Sequence, residues 1–310
     1  MSSLKVAIYE SLDHFVPGGV GWYEGLENLG HDPYILEFKH NLNVYELPES
    51  PDLLVIMGIT PEMLIPILTF KDKHPSTKII VNFFGFRDYF LRLKEVVDLW
   101  VEPFMKHEYV RKKFAENGLP VAFLPLAATE SIYYKTTSEF SKGYDVSFVG
   151  GFGGHGHGYR GEDIYLFPVI DRGYKGFFGG FQYRGNNYPT VKYSFLNEVY
   201  NATKINLNFH YEQQKREELD QEAFKLDFNT RVYEIALSNN FQISDHPEVS
   251  NVFDGAIPYI SKEDWLDAID FYLDKPDLRA ELALKANIIC LEKHTWKQRM
   301  IQFLNILSNK

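Results

Sequence analysis

A glycine-dense loop in the second half of the chain carries the most concentrated chemical signal. Seven glycines lie between Gly150 and Glu162, and Arg160 stands near the end of this loop, before a predicted helix. Glycines let a ligand approach the backbone closely, and the free N–H groups of a helix start attract anions. Because a guanidinium group matches phosphate geometry, the loop predicts a diphosphate site containing Gly150, Gly151 and Arg160. The alternative is a flexible hairpin.

Two histidines of the same loop, His155 and His157, stand two residues apart. Imidazole is a common metal ligand, but no cysteine or carboxylate lies at a standard metal-site spacing from them. We therefore expect no metal here. His155 is a candidate for contact with a bound ligand, and a solvated loop is the alternative.

A second group of polar residues follows the charged segment 211–226. Asn229, Arg231 and Glu234 start a predicted helix, and Arg231 and Glu234 share a face because they are three residues apart. The rest of this helix is apolar, so the pair would lie at the mouth of a buried helix. There Arg231 could hold a phosphate, and Glu234 could accept hydrogen bonds from both hydroxyls of a ribose. The alternative is an ion pair on the surface.

Asn208 and His210 lie at the carboxyl end of the predicted strand Lys204–Phe209. Side chains two residues apart on a strand point to the same side, so either could contact the base or sugar of a nucleotide. Asn208 could instead cap the following helix.

Other polar residues follow strands of the first half. Asp88, after the fourth strand, is a candidate acid or base or a helix cap, and His14 follows the first strand. Together with Arg160 they are the catalytic candidates. Gly18 and Gly19 predict an acceptor-side loop or a tight turn ahead of a helix that begins near Trp22.

The strands and helices that position these groups alternate along the predicted chain. Such alternation implies parallel sheets with helices on both faces. The segment 125–143 holds Pro, Ser, Thr and Gly and predicts a linker. We therefore predict two Rossmann-like domains that face a central cleft, and a terminal helix that returns to the first domain. Their predicted ranges are 1–128, 143–290 and 291–310. Ligands would lie at the carboxyl ends of the strands. Ala256–Tyr259 is predicted to be one further strand.

Composition excludes several classes of protein. The chain has 310 residues, 45% of them hydrophobic, which excludes disorder for most of its length. The single cysteine, Cys290, excludes an internal disulfide framework and a Cys-rich zinc site. A net charge of −10 argues against broad nucleic-acid binding. Because neither a signal peptide nor a membrane-spanning run is recognised, we expect a cytoplasmic protein.

Several segments occur in a characteristic order over residues 144–300. They are YDVSFVGG, then an arginine, KINLNFH, NTRVYEIALSNNFQISD, EDWLDAIDFYLDKPDLRAELALKA and KHTWKQR. This succession resembles the carboxyl-terminal half of CgeB-like (spore-maturation-type) glycosyltransferases, relatives of the group 1, family 4-like enzymes. The amino-terminal half resembles them in pattern only.

The resemblance implies a GT-B architecture, with a nucleotide sugar bound mainly by the second domain and the acceptor by the first. It also implies retention of configuration and no catalytic metal or other cofactor; a UDP-sugar is the first expectation for the donor. Glu234 matches the ribose-binding glutamate of the family, and Arg160 matches a basic residue that meets the diphosphate. Asn229 and Arg231 match the start of the same helix.

The sequence departs from the family pattern at two places. The second glutamate of group 1 enzymes, eight positions before the ribose glutamate, is Leu226 here, with Asp227 adjacent. The glycine that follows the helix is Asn239 or Asn240, and asparagine can adopt the same left-handed conformation.

These features predict transfer of a sugar from a nucleotide diphosphate sugar to a hydroxyl of an unknown glycan, protein or small molecule. Three alternatives stay open. They are a nucleotide-sugar 2-epimerase, a non-catalytic sugar-nucleotide-binding or spore-coat-type protein, and a glycosyltransferase acting on modified DNA bases. The last rests on a small basic patch of Lys106, Arg111, Lys112 and Lys113.

Overall fold

Short runs of Val, Ile and Leu form the central strands of two parallel sheets, as expected for strands that are buried on both faces. The computed structural model describes residues 2–10, 18–37, 50–83, 85–103, 108–136, 143–150, 164–183, 186–210 and 228–309. The chain divides into two units, Met1–Pro125 together with Trp296–Lys310, and Leu126–Thr295. The predicted mixed α/β class is confirmed.

The first unit contains a six-stranded parallel sheet. Its strands are β1 (Lys5–Glu10), β2 (Asp32–Glu37), β3 (Leu53–Met57), β4 (Lys78–Asn82), β5 (Leu99–Glu102) and β6 (Val121–Phe123). Their order across the sheet is β2-β1-β3-β4-β5-β6. The chain proceeds in one direction from β1 to β2 and in the other from β3 onward. Such a reversal opens a crevice beyond the carboxyl ends of β1 and β3.

The second unit contains a four-stranded parallel sheet and a two-stranded hairpin. Its strands are β7 (Tyr144–Val149), β8 (Gly176–Gly179), β9 (Phe181–Tyr183), β10 (Asn186–Tyr188), β11 (Thr203–Asn208) and β12 (Gln242–Ser244). The sheet order is β12-β11-β7-β8, and β9 pairs with β10 antiparallel. The reversal of direction falls between β7 and β11. The corresponding crevice therefore lies beyond the carboxyl ends of these two strands.

Helices connect the strands in both units. They are α1 (Gly18–Glu27), α2 (Leu64–Lys73), α3 (Glu108–Glu116), α4 (Phe167–Arg172), α5 (Leu196–Asn201), α6 (Thr230–Leu237), α7 (Pro247–Val252), α8 (Trp265–Leu273), α9 (Pro276–Lys293) and α10 (Trp296–Ser308). The described residues contain no helix with the length and apolar character that crossing a membrane requires.

Aromatic side chains fill the core of the first unit. Phe90 and Trp100 are fully buried and stack with their ring centroids 4.3 Å apart. Phe114 of α3 lies beside both rings. Each ring buries a large apolar area, so this contact fixes α3 on one face of the sheet.

The terminal helix α10 packs against α1 within the first unit, as predicted from the sequence. The rings of Trp22 and Phe303 meet edge to face at 4.8 Å. Gly21 and Gly25 lie one turn apart on α1, and a Cβ atom at either would overlap Trp296 or Met300 of α10. The missing side chains of these two glycines therefore let the two helices approach closely.

We expect Gly21→Ala to lower the free energy of unfolding. The new Cβ would lie 2.5 Å from Cε2 of the buried Trp296 ring, which has no room to move. Overpacking of this kind costs about 1–3 kcal/mol, whereas the helix propensity gained over glycine is about 1 kcal/mol. Urea unfolding of the four variants of a Gly21→Ala/Trp296→Leu double-mutant cycle measures the effect. An equal cost of Gly21→Ala with and without the tryptophan ring would contradict this account.

The structure corrects two sequence predictions of local structure. Helix α1 begins at Gly18, so Gly18 and Gly19 lie in its first turn instead of a loop. The predicted strand Ala256–Tyr259 is reduced to a single bridge between Ser244 and Tyr259. Pro258 has no N–H to donate, which prevents a longer ladder.

Candidate functional site

The candidate site lies at the crevice beyond β7 and β11. Gly150 directly follows β7, and Asn208 is the last residue of β11. Helix α6 begins beside them, with Asn229 as its N-cap, and the Asn229 side chain accepts a hydrogen bond from the Val232 N–H. The fold thus brings together residues that are separated by almost eighty positions in the sequence.

A buried amide network fixes the start of α6 to the sheet. Asn229 Nδ2 donates to Asn208 Oδ1 at 3.0 Å, and Asn208 Nδ2 donates to Gln242 Oε1 at 3.0 Å. Gln242 Nε2 in turn donates to the Val232 carbonyl oxygen at 2.8 Å. Asn208 is fully buried. Asn208 therefore positions Asn229, and neither its amide oxygen nor its amide nitrogen is exposed at the surface of the site.

Arg231 lies in the first turn of α6, next to the backbone that follows β7. Its guanidinium group stacks over the Phe148 ring at 4.5 Å from the centroid. A Cβ at Gly150 would lie 2.7 Å from Arg231 Nη2. Only glycine lets the cation and the backbone of Gly150 come this close. The result is a positive group held next to bare backbone, a combination that suits a phosphate.

Glu234 lies on the same helix, one turn after Arg231, and is 3% exposed. Tyr193 donates to its Oε1 at 3.2 Å, and Tyr200 donates to its Oε2 at 3.0 Å. Burial raises the pKa of Glu234, although the Tyr200 and Thr230 hydroxyls, the Arg231 charge and the Tyr193 hydroxyl favour the ionised form. A carboxylate offers about four lone pairs, so the hydroxyls of Tyr193, Tyr200 and Thr230 leave acceptor capacity for a further hydroxyl group.

His210 is placed by an aspartate that follows β12. Its Nδ1 lies 2.8 Å from Asp245 Oδ1, and its backbone N–H donates to both carboxylate oxygens of Asp245. The ring of His246 lies 4.8 Å from that of His210, centroid to centroid. The imidazole is therefore held in one orientation at the edge of the sheet. Within the described residues, no three His, Cys, Asp or Glu side chains form a group that could hold a metal ion.

Several predicted site residues fall in segments outside the described residues. These are His14, Lys106, Gly151, His155, His157, Arg160, Leu226 and Asp227. Their proposed roles stay predictions.

The remaining predicted residues lie elsewhere. Asp88 is exposed and is the first residue of a short 3-10 helix, Asp88–Leu93, in the first unit. Gly18 and Gly19 are buried in α1. Asn239, which follows α6 in place of the family glycine, adopts a φ of 51°, in the left-handed region.

The basic side chains of α3 have local partners. Arg111 stacks over Phe123, Lys113 lies over the Tyr109 ring, and Lys112 pairs with Glu116 of the same helix. This part of the predicted basic patch is therefore occupied by contacts within the first unit.

Sequence reasoning missed the residues that surround the predicted ones. Tyr193 and Tyr200 lie in the segment Tyr193–Asn201, whose sequence pattern predicts a helix but gives no sign of their contact with Glu234. Phe148 belongs to the apolar pattern of a strand, and this pattern does not indicate its contact with Arg231. Asp245 had a detectable signal, because it directly follows the segment Phe241–Ser244, which the sequence predicts to be a strand, and ligands of parallel sheets bind at the carboxyl ends of strands.

A family model matches part of the chain. Residues 165–305 match a family model described as glycosyl transferase-like. A search of curated proteins found no significant match.

Solved structures with the same fold cover almost the whole chain. An alpha-glucosyltransferase in complex with UDP and a 13-mer DNA containing an HMU base has a TM-score of 0.68 at 10% identity, covering 99% of this chain and 100% of that chain. The Anabaena protein HepE in complex with UDP and glucose has a TM-score of 0.61 at 9% identity, with 99% and 100% covered. A trehalose-6-phosphate synthase has a TM-score of 0.58 at 9% identity, with 99% of each chain covered.

At such low identity these structures establish the fold of this chain, which is the GT-B fold. The family model covers residues 165–305, which is less than half of the chain. The chain therefore has a GT-B fold, and its residues 165–305 are similar to a glycosyl transferase-like domain.

Proposed function

We propose that the protein transfers a sugar from a UDP-sugar to a hydroxyl group of an acceptor. The observation that carries this proposal is the position of Arg231, next to the Gly150 backbone at the crevice of the second sheet. A diphosphate is the ligand that best uses a guanidinium group and bare backbone in one place. Similar structures that contain UDP support the choice of donor.

Arg231 supplies the charge that the reaction needs. When the bond between the sugar and the diphosphate breaks, negative charge develops on the departing oxygen. A fixed cation stabilises that charge without having to reorganise during the step. Its stacking on Phe148 and its place in the first turn of α6 hold Arg231 ready for this role. Arg160 and Gly151 of the preceding loop are proposed to complete the diphosphate site.

Glu234 binds the ribose in this proposal. Its carboxylate lies one turn beyond Arg231, so a nucleotide whose diphosphate contacts Arg231 presents its pentose toward Glu234. Tyr193 and Tyr200 hold the carboxylate in place. Asn229 is proposed to support the same nucleotide through the first turn of α6, and His210 to contact the sugar or base.

We further propose that the transfer retains the configuration of the sugar and uses no divalent metal. Two considerations support this: the resemblance to CgeB-like enzymes, and the similar trehalose-6-phosphate synthase that served to study glycosyl transfer with retention. A cation supplied by the protein does the work that a bound metal ion does in other transferases.

We expect Arg231→Gln to weaken UDP binding by about 10-fold to 100-fold, because a charge-assisted hydrogen bond contributes about 1.5–3 kcal/mol. Calorimetric titration with UDP in EDTA measures the change. Arg172→Gln is the matched control, since Arg172 forms an exposed ion pair with Asp270 in the same unit. It should bind UDP as the wild type does.

The activity itself is tested with a panel of UDP-sugars and hydroxyl acceptors in EDTA, followed by product analysis. Transfer with the anomeric configuration preserved is the expected result. Dependence on an added divalent metal would contradict the metal-free mechanism. Release of an epimerised sugar nucleotide, or binding of UDP-sugars without any turnover, would contradict the proposed function.

A further inference from the structure

The first sheet has its own crevice, and a buried carboxylate lies at it. Glu10 is the last residue of β1, and Met57 is the last residue of β3. The order of strands reverses between β1 and β3, which is where open parallel sheets bind their ligands. Glu10 is 5% exposed.

The start of α1 is shaped around this carboxylate. The Gly19 N–H donates a hydrogen bond to Glu10. A Cβ at Gly19 would overlap the Glu10 carboxylate, and a Cβ at Gly18 would lie 2.7 Å from Met57 Cε. Both glycines are therefore needed to bring the first turn of α1 over the end of β1.

The hydrogen bonds of the Glu10 carboxylate do not fully offset the free-energy cost of burying it. In the part of the chain that the structure describes, its Oε2 atom has no hydrogen-bond partner. Burial raises the pKa of Glu10 to about 7, and the Gly19 amide is the group that opposes this rise. A buried hydrogen-bond acceptor without a donor destabilises the folded protein. A residue that presents such an acceptor at a ligand-binding crevice is therefore a candidate for a functional role.

We propose that Glu10 accepts a hydrogen bond from a hydroxyl group of the acceptor substrate at the crevice between β1 and β3. This rests on the proposed function, because it assigns the acceptor site of the same transferase. The chemistry also restricts the acceptor. Above pH 7, where Glu10 is ionised, it would repel a phosphate or carboxylate at this position. A neutral polyhydroxyl compound would instead supply the hydrogen-bond donor that Oε2 lacks among the described residues.

Binding of neutral hydroxyl compounds to the full-length protein tests the proposal. The probes are glucose, glycerol and 5-hydroxymethyl-deoxyuridine, with glucose 6-phosphate as the anionic comparison. Calorimetry or thermal shift is measured for the wild type and for Glu10→Gln. Glu95→Gln is the matched control, because Glu95 is exposed in the same unit. UDP binding is measured on the same samples.

We expect at least one neutral probe to bind the wild type and Glu95→Gln, and to bind Glu10→Gln about 10-fold more weakly, the loss typical of one hydrogen bond to a charged group. UDP should bind all three proteins equally. Equal affinity of the probes for the wild type and Glu10→Gln, no binding by any probe, or tighter binding of glucose 6-phosphate than of glucose would overturn the proposal. Failure of all three proteins to bind UDP would instead contradict the proposed function.

Discussion

Glu234→Gln should lower kcat/KM for the UDP-sugar donor by about 100-fold, equivalent to roughly 3 kcal/mol of transition-state binding. The carboxylate is proposed to accept hydrogen bonds from the ribose hydroxyls, and glutamine replaces one acceptor oxygen with a donor. Glutamine has the same shape and no charge to desolvate. Since burial already raises the pKa of Glu234, the neutral side chain should not lower the melting temperature.

Two further variants separate binding from folding in this experiment. Glu198→Gln makes the same chemical change on an exposed residue of α5 and should leave kcat/KM unchanged. Tyr200→Phe removes the hydroxyl that donates to Glu234 Oε2 and should reduce donor affinity less than Glu234→Gln does. A Glu234→Gln protein whose kcat/KM lies within twofold of the wild type would show that Glu234 has no part in donor binding.

The sequence predicts the class of fold well because buried parallel strands consist of unbroken apolar runs. Runs such as Leu53–Met57 can be recognised without knowledge of their neighbours. The order of the strands cannot be recognised in this way, since it depends on which strand each run pairs with. The two crevices follow from that order. The sequence could therefore suggest residues at strand ends but could not say which ends lie side by side.

The site residues were predictable where their chemistry is local. Arg231 and Glu234 share a helix, so their common face follows from a spacing of three. The tyrosines around Glu234 and the contact of Arg231 with Gly150 depend on tertiary packing between distant segments. Glu10 was missed for the same reason. A charged residue at the end of an apolar strand is ordinarily expected to be exposed to solvent. The burial of Glu10 depends on Gly18 and Gly19, eight and nine positions later.

The same packing explains why the glycines of α1 were first interpreted as a loop. Glycine disfavours helix interiors by about 1 kcal/mol relative to alanine, so the cluster of Gly18, Gly19 and Gly21 predicts a break. In the structure each glycine lies against a side chain that needs the space. Glu10 and Met57 lie against the first turn, and Trp296 and Met300 lie against the rest. Tertiary packing thus outweighs local helix propensity here.

The second large effect concerns the stability of the protein as a function of pH. In the native state the pKa of Glu10 is raised from 4.5 to about 7 by burial. Below pH 4.5 the carboxyl group is protonated in both native and unfolded states, and its full contribution to stability is present. As the pH rises toward 7 the unfolded state ionises first, so the native state loses stability relative to it. A pKa rise of this size corresponds to about 3 kcal/mol.

Glu10→Gln should therefore be more stable than the wild type at pH 8. The difference in the free energy of unfolding between the two proteins should change by about 3 kcal/mol, in favour of Glu10→Gln, from pH 4.5 to pH 8. Urea unfolding of both proteins across this range measures the difference, in which the titration of all other groups cancels. Glu95→Gln should show no such trend, because Glu95 is exposed. A pH-independent difference would mean that Glu10 ionises as easily in the folded protein as in the unfolded chain. The buried carboxylate would then have no unfavourable desolvation free energy that a hydrogen bond from an acceptor hydroxyl could offset.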